Sequence, residues 1–215
     1  MKFETPKFNP IPDKTKENIE KNRMFKTIEK SLVLTPSKKL DLATFLLYDK
    51  KKIAYLGDHK IIEPEDDENT WRKKFNEEIE ELKKVLKGSG LFYEMAKNLK
   101  KENEILGFNM VVARNKEDLE KFLEVEKEDN DREMGLLLGY PETAIEGYEN
   151  RDFLIVEDLP KNEQEKIEKE GVLKFSGFSP SKKYWREELK EVRKIQSLIK
   201  EKSSSIYKQI IESDL

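Results

Sequence analysis

The tripeptide Gly139-Tyr140-Pro141 restricts what this chain can fold into more than any other stretch. Pro141 fixes its own φ and pushes Tyr140 toward an extended backbone. Gly139 can take the left-handed conformation that ends a helix. A helix arriving here must stop, and a second can begin on Pro141, whose missing N–H the first turn does not use. Upstream, Asp131 reads as an N-cap, and Met134, Leu137 and Leu138 share a side at helical spacing, with Leu136 widening it. Downstream, Glu142 puts a negative charge in the first turn, and Ala144, Ile145 and Tyr148 form an apolar side. Residues 130–150 therefore read as two short helices joined by a tight corner.

That corner has a plain reading and a functional one. In the plain reading Leu136, Leu137 and Leu138 are core and the corner is only a turn. In the functional reading it exposes the second helix's N-terminus, whose free N–H groups can hold a small anionic ligand. Arg132 and Tyr140 would then be neighbouring donors, and Gly139, Pro141 and Glu142 would frame the ligand. Glu133 would be the candidate catalytic acid or base.

The 215 residues suffice for one substantial domain, with 36% hydrophobic and 40% charged residues implying a modest core under a heavily charged surface. The 42 basic and 45 acidic residues are finely interleaved, which argues against disorder by self-repulsion. The dominance of Lys and Glu on that surface is a weak thermophile-like bias. Absence of cysteine excludes disulfides, thiolate nucleophiles and Cys-ligated zinc. The N-terminus has no apolar signal core, and the longest apolar run, Leu42 to Tyr48, is too short to cross a bilayer. The expectation is a soluble cytoplasmic protein with no membrane partner. Residues 1–60 carry 14 basic against 8 acidic residues, residues 61–150 carry 14 against 24, and residues 151–215 carry 14 against 13. The basic first quarter is the one place nucleic acid could touch. Overall acidity and the lack of arginines interleaved with aromatics argue against such a partner.

Read in order, residues 1–13 form a proline-rich extended arm, and 14–215 a single α+β domain. Lys14 to Lys30 is a helix with a stripe of Ile19, Arg23 or Met24, Phe25 and Ile28, followed by Leu32. Thr35-Pro36 is either a cap-plus-proline helix start or a turn. Leu40 to Tyr48 and Lys52 to Leu56 read as a hairpin across a polar Asp-Lys turn, and Lys60 to Ile62 as a short third strand after Gly57-Asp58. The acidic run from Glu65 to Glu68 reads as a solvated loop, because consecutive carboxylates point apart and cannot converge on a metal. Thr70 to Lys87 is a helix with Trp71, Phe75, Ile79, Leu82 and Leu86 on one face. Gly88-Ser89-Gly90 reads as a hinge to a second helix, Leu91 to Leu106. Phe108 to Ala113 is the clearest strand, leading into a helix over Lys116 to Glu128 capped by Asn115 with Asp118. Asp152 to Val156 and Val172 to Phe178 read as strands flanking a charged helix, Lys161 to Glu170. A long terminal helix runs from Ser179-Pro180 to Ile211, its tail from 203 to 215 open to fraying. The fold class is thus α+β, helix-rich, with a mostly antiparallel sheet of four to five strands. The apolar stripe of the 184–211 helix is a candidate homodimer surface.

Three segments together resemble a known family. They are Ser31-Leu-Val-Leu-Thr-Pro-Ser-Lys-Lys-Leu40, Arg132-Glu-Met-Gly-Leu-Leu-Leu-Gly-Tyr-Pro141 with Ile145-Glu-Gly-Tyr-Glu-Asn150, and Leu173-Lys-Phe-Ser-Gly-Phe178. The set is similar to a family of small proteins common in anaerobic bacteria. Its hallmark is His-Glu-Ile-Gly-x-x-Leu-Gly-Tyr-Pro, a domain of unknown function. Gly135 and Leu138 to Pro141 are the specific matches, within a similarity reaching from Ser31 to Lys200. Arg132 stands where the hallmark has histidine, and residues 151–170 look like an insertion. The resemblance implies a layout and the place of a site, and no reaction.

Catalytic machinery is sparse. His59 is the only histidine, beside Asp58, so a Ser-His-Asp triad or a histidine metal cluster has nothing else to draw on. No glycine-rich loop joins strand to helix in the dinucleotide or P-loop pattern, so no cofactor is expected. Arg132-x-x-Gly135 resembles the acyl-CoA-binding turn of acetyltransferases, but there the motif follows a strand and here a charged helix. Two functions remain. The favoured one is a non-enzymatic binding or regulatory protein. The alternative is a small enzyme acting on an anionic metabolite, acyl-transferase-like or using a phosphate-containing substrate, at the Arg132–Pro141 corner.

Overall fold

The computed structural model describes residues 13–102 and 105–213. Apart from Asp13, the arm expected over residues 1–13 lies outside the described residues. The elements in order are α1 (Asp13–Lys30), α2 (Pro36–Leu47), β1 (Ile53–Ile61), α3 (Glu68–Leu86), β2 (Phe92–Glu102) and β3 (Ile105–Ala113). After them come α4 (Lys116–Lys127), α5 (Asp131–Leu137), α6 (Glu142–Glu149), α7 (Lys161–Glu170), α8 (Trp185–Lys202) and α9 (Ser204–Glu212). Short 3-10 turns occupy Val156–Asp158 and Val172–Phe175. The protein is a helix-rich α+β fold around an antiparallel sheet. Among the described residues no helix is long and apolar enough to cross a membrane.

Among the described residues the sheet has three strands in the order β1-β3-β2, both pairings antiparallel. The expectation of four to five was too high, for local reasons. Leu40 to Tyr48 belongs to α2, because Thr35 accepts a hydrogen bond from Lys38 N and Pro36 pre-sets the first turn. A short apolar run cannot by itself tell a buried helix from a buried strand. Lys60-Ile61 continues β1 rather than adding a strand. Gly57 does not turn the chain: it sits opposite Asn109, and a Cβ there would fall 2.2 Å from Asn109 Oδ1. Val172 to Phe175 is a 3-10 turn that buries Val172 and Phe175, three residues apart, on one side. Of Asp152 to Val156 only the Phe153–Ser181 bridge has strand character.

Conversely, Leu91 to Leu106 is not a helix but the edge strand β2 and the start of β3. Two register shifts, between Met95 and Lys97 and between Lys97 and Lys100, break its alternation. Gly88-Ser89-Gly90 accordingly joins a helix to a strand. The terminal helix is also not continuous. α8 ends at Lys202, and Ser203 caps α9 by accepting from Ile206 N, which lets α9 bury Ile206 and Ile210 in the core.

The two faces of the sheet are covered unequally. Ala54, Leu56, Phe108, Met110 and Val112 point to one face, into a large core shared with α1, α2, α3, α8 and α9. Ile53, Val111 and Ala113 point to the other, where α4 and α5 supply Leu119, Phe122 and Leu137. The apolar stripe of α8 (Leu189, Val192, Ile195, Ile199) is used inside the chain's own large core. Ile19 and Leu32, read as part of the α1 stripe, are exposed, whereas Met24, Phe25 and Ile28 carry it.

Candidate functional site

The Gly-Tyr-Pro corner forms as expected, with shifted caps. Asn130, not Asp131, caps α5: its amide oxygen accepts from Glu133 N at 3.1 Å in the first turn. Pro141 is the cap of α6 rather than its first residue. Gly139 has φ +80°, and a Cβ there would lie 2.8 Å from Lys51 Cα. The turn after α2 thus packs directly on the corner, and Lys52 N donates to Leu137 O at 3.0 Å. The corner's own amides are spent internally: Gly139 N donates to Leu136 O and Tyr140 N to Gly135 O. The corner presents the Tyr140 ring, and α6 begins beside it at Pro141 without a side-chain cap.

Tyr140 is a partition between two hollows. On one side lies an apolar cleft of about 650 Å³, walled by Tyr55, Phe122, Met134, Tyr140, Ile145 and Phe178. Tyr55 pairs with Phe122 at 5.4 Å between ring centroids, and Tyr140 with Phe178 at 5.7 Å. Three carboxylates, Glu126, Asp129 and Asp131, also line this cleft, and among the described residues no lysine or arginine does. Tyr55 donates to Glu126 Oε1 at 2.6 Å, and its pKa is raised by burial and by that carboxylate.

On the other side is a cavity of about 240 Å³ between α2, the sheet and the Val172–Phe175 turn, lined by Asp41, Thr44, Tyr48 and Lys51 among others. Lys51 is buried and pairs with Asp41 Oδ1 at 2.5 Å. Asp41 Oδ2 is buried too, without a hydrogen-bond partner among the described residues. Burial, then the charge of Asp41, pushes the Tyr140 hydroxyl up to about 12. Tyr48 likewise reaches about 12, through burial and its hydrogen bond to Glu191. Deeper still, buried Lys38 bridges Glu78 at 2.6 Å and Asp58 at 2.9 Å with its ammonium 5.5 Å from the Phe108 ring. Two ammonium groups so close to the core persist because each holds a carboxylate.

The residues expected to form the site divide. Gly139 and Tyr140 line the smaller cavity, and Tyr140 lines the cleft as well. Arg132 and Glu133 line neither. Arg132 pairs with Glu149 at 3.0 Å and Glu133 with Lys121 at 2.9 Å, all four side chains roughly 40–50% exposed. Pro141 and Glu142 also line neither hollow. Glu142 is exposed in the first turn of α6, and the next residue, Thr143, donates to buried Glu188 at 2.6 Å. Among the described residues no group of three metal-ligating side chains converges.

Sequence reasoning passed over Tyr55, Phe122, Glu126, Asp41 and Lys51. In sequence Lys51 belongs to a polar turn. Only the close approach of that turn to Gly139 makes Lys51 a wall residue. The segments Ser31–Leu40, Arg132–Pro141 and Leu173–Phe178 meet at the smaller cavity through Ser37 and Leu40, Gly139 and Tyr140, and Ser176 and Phe178. No family model, curated protein or solved structure matches this chain, so geometry carries the functional reading.

Proposed function

We propose that the protein is a non-enzymatic binding protein that takes a small, largely apolar molecule into the cleft between α4, α5, α6 and the Ser176–Ser179 segment. The observation that carries this is the wall itself. A concave, aromatic-lined hollow of about 650 Å³ falls in the range of small-molecule sites. The two side chains that would perform proton transfer or anion pairing, Glu133 and Arg132, stand outside it in exposed ion pairs. Of the acids that do line it, Glu126 accepts from the Tyr55 hydroxyl, whose pKa is raised by burial and by that carboxylate, an arrangement suited to hydrogen bonding rather than to moving protons at neutral pH.

An anionic ligand at the start of α6 has less support. Glu142 already brings a negative charge to that turn and Arg132 is engaged by Glu149. The test is fluorescence of a neutral solvatochromic dye titrated with the protein. Blue-shifted, saturable binding is expected, and it is lost in Met134→Trp, which fills the cleft from a partly exposed position on α5. Equal binding by Met134→Trp would move the site elsewhere.

A further inference from the structure

We infer that the occupant of this cleft is an organic cation, an apolar body carrying a protonated amine; this rests on the binding reading above. The argument is charge complementarity over an aromatic wall. Glu126, Asp129 and Asp131 line the cleft, and none of them is ion-paired among the described residues. Elsewhere carboxylates find lysines or arginines readily: Lys121 of α4 and Arg132 of α5 are taken by Glu133 and Glu149. The chain has 42 basic residues, so a cleft lined by three acids and no base is a local departure from its interleaved charge.

The two chemistries of the cleft act on different parts of one molecule. The aromatic faces of Tyr55, Phe122, Tyr140 and Phe178 accept an apolar group and also attract a cation placed over a ring. The acids repel a carboxylate or phosphate and favour an ammonium. Glu126 keeps one oxygen on the Tyr55 hydroxyl and has further acceptor capacity, while Asp129 and Asp131 line the cleft from exposed positions. Asp129 is held at φ +52° by the turn that ends α4, which sets its carboxylate at the junction of α4 and α5.

The test uses three compounds with one body: 4-phenylbutylamine, 4-phenylbutanol and 4-phenylbutyrate, titrated calorimetrically into the full chain at low ionic strength. The amine is expected to bind about five- to tenfold tighter than the alcohol, and the carboxylate weaker than either. Asp129→Asn/Asp131→Asn should abolish the preference for the amine and leave alcohol binding unchanged. Asparagine tolerates the backbone at 129, and both positions are exposed, so folding should be retained. Glu126→Gln, which preserves the bond from Tyr55, provides a second variant with the same expectation. Alcohol binding with no preference for the amine, or a preference untouched by these variants, overturns the cation while sparing the apolar site. Failure of all three compounds to bind overturns both.

Discussion

The two faces of the sheet are built from the same strands and do opposite things. On one, Leu56, Phe108, Met110 and Val112 are sealed under five helices and even the buried charge of Lys38 is matched by Glu78 and Asp58. On the other, Ile53, Val111 and Ala113 are covered by two helices, α4 and α5, and the cover stops at Tyr55 and Phe122, where the cleft begins. A strand alternates its side chains between faces, so neither arrangement disturbs the other. The lesson is that one face can hold the fold together while the other is left incomplete for a ligand.

The sharpest way to break this contrast is to remove a large side chain from each face. Phe108→Ala should cost about 3–5 kcal/mol in chemical denaturation, because the void stays dry. Phe122→Ala should cost clearly less, since its void opens to the cleft and water can enter. Equal losses would mean that the second face is as closed as the first. Nearly as large, Lys38→Met should destabilise by about 3–5 kcal/mol by leaving Glu78 uncompensated, and adding Glu78→Leu should restore most of it.

Next come two of the glycines held at positive φ, Gly139 and Gly90. Gly139→Ala should cost about 2–3 kcal/mol, since it combines a positive φ with a clash on Lys51. Gly90→Ala, at φ +76° with nothing within 4 Å, should cost only about 1 kcal/mol of backbone strain. The difference measures how tightly the corner is packed against the turn after α2.

A smaller effect separates the partition residue from its surroundings. The Tyr140 pKa is raised in the folded state, so its contribution to stability is full below pH 10 and is lost as pH climbs toward 12. Comparing urea unfolding at pH 9 and 11, Tyr140→Phe should fall less steeply than the parent, by the order of 1 kcal/mol. Smallest of all, Arg132→Ala should change stability by less than about 1 kcal/mol and leave ligand binding intact, as expected for an exposed ion pair. A large loss of binding in that variant would restore the corner itself as the site.

Local chemistry alone determined a good part of this protein. The caps at Asn115 and Thr35, the stripe of α3, the apolar run of β3 and the stop at Gly139-Tyr140-Pro141 are short-range effects, written in adjacent residues. Tertiary structure decided the rest. β2 became a strand because β3 offered an edge to pair with, although its residues match helical spacing. Arg132 and Glu133 looked like a functional pair because they adjoin the corner in sequence. Yet a seven-residue helix turns both toward Glu149 and Lys121, and delivers Tyr140 to the cleft instead. The cleft has no signature of its own in the chain, because its walls come from β1, α4, α5, α6 and the segment before α8. Only burial of apolar surface, which is blind to sequence distance, brings those walls together.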